Sequence, residues 1–215
     1  MTTTTIPTPS ANPVRGRLNA AFFRVMDRYV HRHLGDRKAA LFADLPGTVV
    51  ELGAGTGANT RYYPAGTHLI AVEPNPPMHR PLREAAARHG LDLEIRAVGA
   101  EDTGLADGSV DAVVSTLVLC TVDDPAAVVA EVRRILRPGG RFLVLEHVAA
   151  PDGPLARLQR LLWTCWRWAF EGCDLRRHTG DLLARAGFAD VALERYRAGW
   201  VFLPVDEQVA GTLRR

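Results

Sequence analysis

Lysine is almost missing from this chain. Lys38 is the only one, and arginine carries the rest of the positive charge. With much alanine beside it, that bias reads as the codon usage of a GC-rich genome, not as a binding surface. A large excess of either charge is missing too. A net charge of +2 at pH 7 makes no large field, so no nucleic-acid partner is expected. Cysteine is scarce. Cys120, Cys165 and Cys173 form no C-x-x-C pair and no even framework, which argues for a reducing compartment and against disulfides or zinc. A cytoplasmic location and no metal are the expectations. No apolar run reaches the roughly 18 residues of a spanning helix. The first ten residues lack a basic region and an apolar stretch, so they do not read as a signal peptide. Residues 1–15 are expected to form a disordered arm. No internal repeat is present.

What is present suits one α/β domain with a full core, at 215 residues. Its most informative stretch is Val49-Val50-Glu51-Leu52-Gly53-Ala54-Gly55-Thr56-Gly57. Two β-branched residues lead into an acid, then glycines fall at alternate positions. Such a run reads as a buried strand ending in a tight turn that opens a helix. Glycine is needed where backbone approaches a ligand closely. Gly53, Gly55 and Ala58 also satisfy the dinucleotide fingerprint G-x-G-x-x-G/A. On the glycines alone, a nucleotide dehydrogenase and an S-adenosylmethionine enzyme both remain open. Glu51 counts against the first, because a carboxylate there suits a cationic ligand better than a pyrophosphate.

Later segments add to this. Leu69-Ile70-Ala71-Val72-Glu73 is a second strand ending in an acid, which suits ribose hydroxyl donors. Pro74 opens the turn that follows. Ala100-Glu101-Asp102 suits an adenine edge, whose exocyclic amine donates to a carboxylate. Leu136-Arg137-Pro138-Gly139-Gly140 ends a helix and leads into another strand. Strands are expected near 48–52, 68–73, 93–98, 110–115, 141–147, 189–197 and 200–206, alternating with helices near 76–89 and 124–136. That alternation implies a parallel sheet.

In order and spacing this series resembles the class I S-adenosylmethionine-dependent methyltransferases. Tyr62-Tyr63-Pro64-Ala65-Gly66, residues 115–122, Glu146-His147-Val148 and Gly172-Cys173-Asp174 with Arg177 are similar, more narrowly, to the methyltransferase-like 7 group. Those are small-molecule thiol S-methyltransferases anchored to intracellular membranes. The likeness departs at the amino terminus, where that group has an apolar anchor, and at Glu73, where it commonly has Asp. The resemblance implies a Rossmann-like α/β fold: a mostly parallel seven-stranded sheet with helices on both faces. One domain would span 16–215, with an amino-terminal helix over 17–43, a core over 44–148, a helical insertion over 152–171 and closing elements over 178–215. It implies that Glu51, Gly53, Ala54, Gly55 and Gly57 hold the methionine part of S-adenosylmethionine. Glu73 and Pro74 would hold the ribose, and Ala100 and Glu101 the adenine. Thr116 and Leu117 complete the expected cofactor set. The helix over 17–43 is expected to cover it.

The acceptor side is less determined. His147 ends the fifth strand, where substrates usually bind; a general base and a hydrogen-bonded structural histidine are both open. Cys120 lies near the expected methyl donor, as a pocket residue or a small buried hydrophobe. Cys173 and Trp168 are expected at the pocket rim. Residues 155–170 place Arg157, Arg160, Thr164 and Arg167 on one face and leucine and tryptophan on the rest. This reads as a half-buried helix, a lid over the pocket, or a peripheral membrane contact. The expected reaction is methyl transfer to a small acceptor by in-line displacement. An apolar thiol is favoured, because a thiol needs little help from a base. Oxygen, nitrogen or carbon acceptors, and a binding module without catalysis, are the alternatives.

Overall fold

The computed structural model describes residues 13–170, 172–199 and 204–215. Helix α1 (Pro13–Phe42) precedes β1 (Thr48–Leu52), β2 (His68–Val72), α2 (Pro76–Arg88) and β3 (Asp92–Arg96). Then follow β4 (Val110–Thr116), α3 (Pro125–Ile135), β5 (Leu136–His147) and α4 (Pro154–Ala169). The last elements are α5 (Thr179–Ala184), β6 (Asp190–Arg197) and β7 (Glu207–Arg214). The strands form one seven-stranded sheet in the order β3-β2-β1-β4-β5-β7-β6. The pairs from β3 to β5 are parallel. β7 is antiparallel to both of its neighbours.

Interior parallel strands are covered on both faces, so they read as apolar runs and not as alternations. Their side chains still part by period two. Val50, Leu52, Ile70, Val72 and Val113 pack with Val128 and Val132 of α3 and Leu183 of α5. Val49, Leu69, Ala71 and Val114 pack on the other face with Phe42 of α1 and Leu82 of α2. Helices therefore cover both faces, as expected. The start of α3 is fixed locally. Asp124 Oδ1 accepts from the Ala126 and Ala127 N–H groups at 2.9 and 3.0 Å, and Pro125 takes the first helical position.

Three boundaries differ from expectation. Helix α1 begins at Pro13, inside the supposed arm; residues 1–12 lie outside the described residues. Strand β5 begins at Leu136, with Pro138-Gly139-Gly140 as an irregularity inside it. There the pairing passes from Val110↔Leu136 to Ala112↔Arg141. The seventh strand is not at 200–206. Residues 200–203 lie outside the described residues, 204–205 turn, and the strand is Glu207–Arg214. The run Val201-Phe202-Leu203 carries the stronger strand signal in sequence, whereas β7 holds Gln208, Thr212 and Gly211. Gly211 is there for space: a Cβ on it would run into the Ala192 carbonyl oxygen of β6.

Helix α4 is half-buried. Ala156 and Gln159 are buried, with Leu162, Trp163 and Trp166 partly so on the same side. Leu158, Leu161 and Trp168 face outward among Arg157, Arg160 and Arg167. Among the described residues, no helix is long and apolar enough to cross a membrane.

Candidate active site

The glycine turn leaves β1 with Gly53 at φ 57°, Gly55 at φ 56° and Gly57 at φ 82°. All three are in the left-handed region, where glycine carries no steric penalty. A Cβ on Gly53 would meet Val118 Cγ2 at 2.6 Å. One on Gly55 would meet nothing nearer than Gly53 O at 3.8 Å. Packing thus demands the first glycine, while the second faces open space that a side chain would fill. Ala54 is buried between them, and its carbonyl accepts from Gly57 N–H at 3.0 Å.

Glu73 follows β2 and locks onto this turn. Its Oε2 accepts from Gly55 N–H and its Oε1 from Asn75 N–H, both at 2.8 Å. A carboxylate has about four lone-pair sites, which suits a ribose diol. Pro74 is exposed in the turn before α2, Ala100 is buried after β3, and Glu101 beside it is half-buried. These residues all follow the carboxyl ends of β1, β2 and β3, where open α/β sheets bind ligands. The open cradle at Gly55 and the strand-end carboxylate fit S-adenosylmethionine.

Beneath the turn lies a polar network that the sequence reading missed. Lys38 Nζ of α1 donates to Asn59 Oδ1 at 2.8 Å. Asn59 Nδ2 donates to Glu51 Oε1 at 2.7 Å and to Thr116 Oγ1 at 2.8 Å. The Tyr63 hydroxyl donates to Glu51 Oε2 at 3.0 Å. Glu51 is buried, and each of its oxygens already accepts one hydrogen bond from the protein. It shapes the turn from below. Burial pushes Glu51 up to about 7, against hydrogen bonds from Asn59 and Tyr63. Burial pulls Lys38 down to about 8, against attraction from Glu51. The network pins α1 over the turn, and an Arg61–Asp27 ion pair helps. The signal available in sequence was Lys38 itself, a lone lysine in an arginine-biased chain.

The acceptor side is built on β4 and β5. Leu117, just after β4, has φ 59°, a conformation that strains a leucine by about 1–3 kcal/mol. Its surroundings hold it there. Its N–H donates to Leu145 O at 2.9 Å. Arg177 donates to Leu119 O and Val122 O, both at 2.5 Å, and Asp174 N–H donates to Cys120 O at 2.8 Å. Glu146, fully buried, accepts at Oε1 from the Ser115 hydroxyl at 2.6 Å and from Val118 N–H at 3.1 Å. Burial raises its pKa in spite of those bonds.

Cys120, His147 and Cys173 meet inside. His147 Nε2 lies 3.0 Å from Cys173 Sγ, and the two sulfurs are 3.7 Å apart. The Trp166 indole N–H donates to Cys173 Sγ at 3.2 Å. All three residues are buried. The hydrogen bond between the thiols lowers Cys173 and, with burial, raises Cys120. Burial lowers His147, but the adjoining Cys120 and Glu146 outweigh it and hold the imidazole above its usual value. His147 is thus a buried partner of a thiol and not an exposed base. Trp168 does not line this place. It is 74% exposed, because two residues along a helix turn a side chain to the opposite side; Trp166 is the indole that faces in. Asp174 sits in a turn, where its carboxylate accepts from Arg176 N–H at 2.9 Å.

Comparison with known proteins agrees with this geometry. Residues 50–144 match the methyltransferase domain family. The chain is 40% identical over 194 residues to thiol S-methyltransferase TMT1B of Rattus norvegicus, covering 84% of this chain and 79% of the relative. It is 37% identical over 181 residues to thiol S-methyltransferase TMT1A of Homo sapiens, covering 78% and 74%. In fold it matches an O-methyltransferase family protein from Burkholderia thailandensis. The TM-score is 0.71 at 19% identity, over 95% of this chain and 61% of the other. The chain is an S-adenosylmethionine-dependent methyltransferase and belongs to the family that contains the thiol S-methyltransferases TMT1A and TMT1B.

Proposed function

We propose that the chain methylates small apolar thiols on sulfur. One observation carries this: 40% identity, over most of both chains, to a thiol S-methyltransferase. The geometry supports it. Beyond the carboxyl ends of β4 and β5, the buried Cys120, His147 and Cys173 gather sulfur and imidazole, with the Trp166 indole beside them. A thiol with a pKa near 8.5 is already a few per cent thiolate at neutral pH, so it needs little base. A phenol or alcohol needs more.

Bound S-adenosylmethionine supplies an electrophilic methyl group on a cationic sulfur. The residues supply position. The Gly53–Gly57 turn and Glu73 fix the donor, and α1 closes over them through Lys38. The strained Leu117 and the loop beyond it follow β4, next to the donor turn through Val118. Holding nucleophile and methyl within about 3–3.5 Å provides much of the acceleration. His147 acts on the acceptor in this reading, without touching the donor. The exposed row Leu158, Leu161 and Trp168 among arginines supports a peripheral membrane contact, which would gather apolar thiols. Flotation with anionic vesicles tests that contact, and loss of flotation in a Leu161→Glu variant is expected.

Labelled donor offered with alkyl thiols, phenols and amines tests the acceptor. Turnover should rise with pH and level off at a pH that moves with the thiol's own pKa. A plateau at one pH for two thiols of different pKa would point to an enzyme base. Methylation of a phenol or amine, with none of any thiol, would overturn the reading.

A further inference from the structure

Cysteine spacing gives no sign of a metal site, but folding assembles one. Cys120 follows β4, His147 ends β5 and Cys173 lies in the turn after α4. Their ligand atoms all lie within 4.8 Å of one another, and all three side chains are buried. We propose that Cys120, His147 and Cys173 form a three-ligand site for zinc or a similar thiophilic divalent ion, whose fourth position binds the acceptor sulfur as thiolate. This rests on the thiol reading above.

The distances fit. Two thiolates on one tetrahedral zinc, at about 2.3 Å each, stand roughly 3.8 Å apart. The two sulfurs here are 3.7 Å apart. A thiolate and an imidazole nitrogen on one zinc stand about 3.5 Å apart by the same geometry. His147 Nε2 and Cys173 Sγ, at 3.0 Å, need to part by about half an ångström once a metal replaces the shared proton. Two thiols and an imidazole select zinc over magnesium or calcium, which require oxygen. Three protein ligands are the number in zinc sites that bind a substrate, whereas structural sites close with four.

The surroundings hold the ligands in place. The loop of Cys120 is tied by Arg177 to two of its carbonyls, and the Cys120 carbonyl itself accepts from Asp174 N–H. The Trp166 indole donates to the Cys173 sulfur, an outer-shell contact of the kind that tunes ligand thiolates. Among the described residues His147 Nδ1 has no hydrogen-bond partner, so the outer-shell acceptor that a metal-bound imidazole needs would be water. The placement suits transfer. Cys120 lies just beyond Val118, whose side chain packs against Gly53 of the donor turn.

The step balances without redox chemistry. The acceptor thiol binds as thiolate and releases its proton to solvent. A lone pair on that sulfur forms the new sulfur–methyl bond. The bond between methyl and sulfonium breaks, and its electron pair stays on the donor sulfur. The thioether product is a weak ligand and leaves.

The test uses the full chain, purified reduced and supplied with zinc. Elemental analysis should find about one zinc per chain. After stripping, cobalt(II) should give thiolate charge-transfer and tetrahedral bands, and an added alkyl thiol should shift them. Cys120→Ser, Cys173→Ser and His147→Ala should each weaken cobalt binding by about a hundredfold or more. Donor affinity by calorimetry should stay near wild type, which reports that these variants are folded. Wild-type protein that binds donor but takes up neither zinc nor cobalt overturns the site. Cobalt bands that ignore the thiol overturn its fourth position. Full thiol methylation by stripped protein overturns the site's role and leaves the thiol reading standing. Stoichiometric metal with methylation of phenols alone overturns the thiol reading instead.

Discussion

Replacing Lys38 with methionine tests the network under the glycine turn. Two effects of similar size oppose each other. The folded protein holds Lys38 at about 8 against its usual 10.5, chiefly by burial. At pH 7 the charged ammonium therefore destabilises the fold by roughly 3 kcal/mol, at 1.36 kcal/mol per pKa unit. Methionine removes that term. It also removes a charge-assisted hydrogen bond to Asn59, worth about 1.5–3 kcal/mol, and leaves the amide oxygen buried. Net stability at pH 7 should change by no more than about 1–2 kcal/mol. The pH dependence is the sharper readout. A lysine with a depressed pKa binds fewer protons folded than unfolded, so its contribution improves as pH rises. With about 8 folded and 10.5 unfolded, wild type should gain roughly 2 kcal/mol between pH 7 and 9.5 through this residue. Lys38→Met should lack that gain. Loss of the cation also pushes Glu51 further up, which enlarges the difference in the same direction. Urea denaturation of both proteins at several pH values measures it, and subtraction cancels the groups other than Lys38 and Glu51. Parallel curves for the two proteins would refute the reasoning.

Glu73→Ala removes the ribose acceptor and two anchors of the turn, so donor affinity should fall tenfold to a hundredfold by calorimetry, about 1.5–3 kcal/mol; unchanged affinity in a folded variant would reject that role. Gly55→Val should abolish donor binding, because its side chain enters the open cradle from a backbone that disfavours it. Asp124→Ala removes two hydrogen bonds at the start of α3 and should lower stability by about 1 kcal/mol, leaving donor affinity unchanged; this is read from urea midpoints.

Local signals were legible where chemistry is local. The β1 turn and the acid after β2 each fit within a few residues of sequence. The interior strands announced themselves as apolar runs. What was not legible depends on which distant segments meet. Nothing in the sequence near Glu51 shows that Asn59 and Tyr63 will bond its oxygens. Lys38 reads as one helix residue among many until α1 lies over the turn. Nothing in composition separates Trp168 from Trp166, and only the side of α4 that packs toward Cys173 decides between them. β7 hides because glycine and glutamine, poor strand formers in isolation, are required where β6 crosses closely.

The placement of β7 sets an order of assembly. Residues 207–214 pair with β5 on one side and β6 on the other. β6 emerges from the ribosome earlier, yet it has no neighbour in the sheet until β7 arrives. The parallel half, β1 to β5, can pair during synthesis, but the edge of β5 stays open until the last strand is made. A nascent or nicked chain ending before 207 therefore presents two unpaired strand edges, a template for pairing between chains. Such fragments are expected to be captured by chaperones or to aggregate, even though every residue assigned to donor binding is already in place.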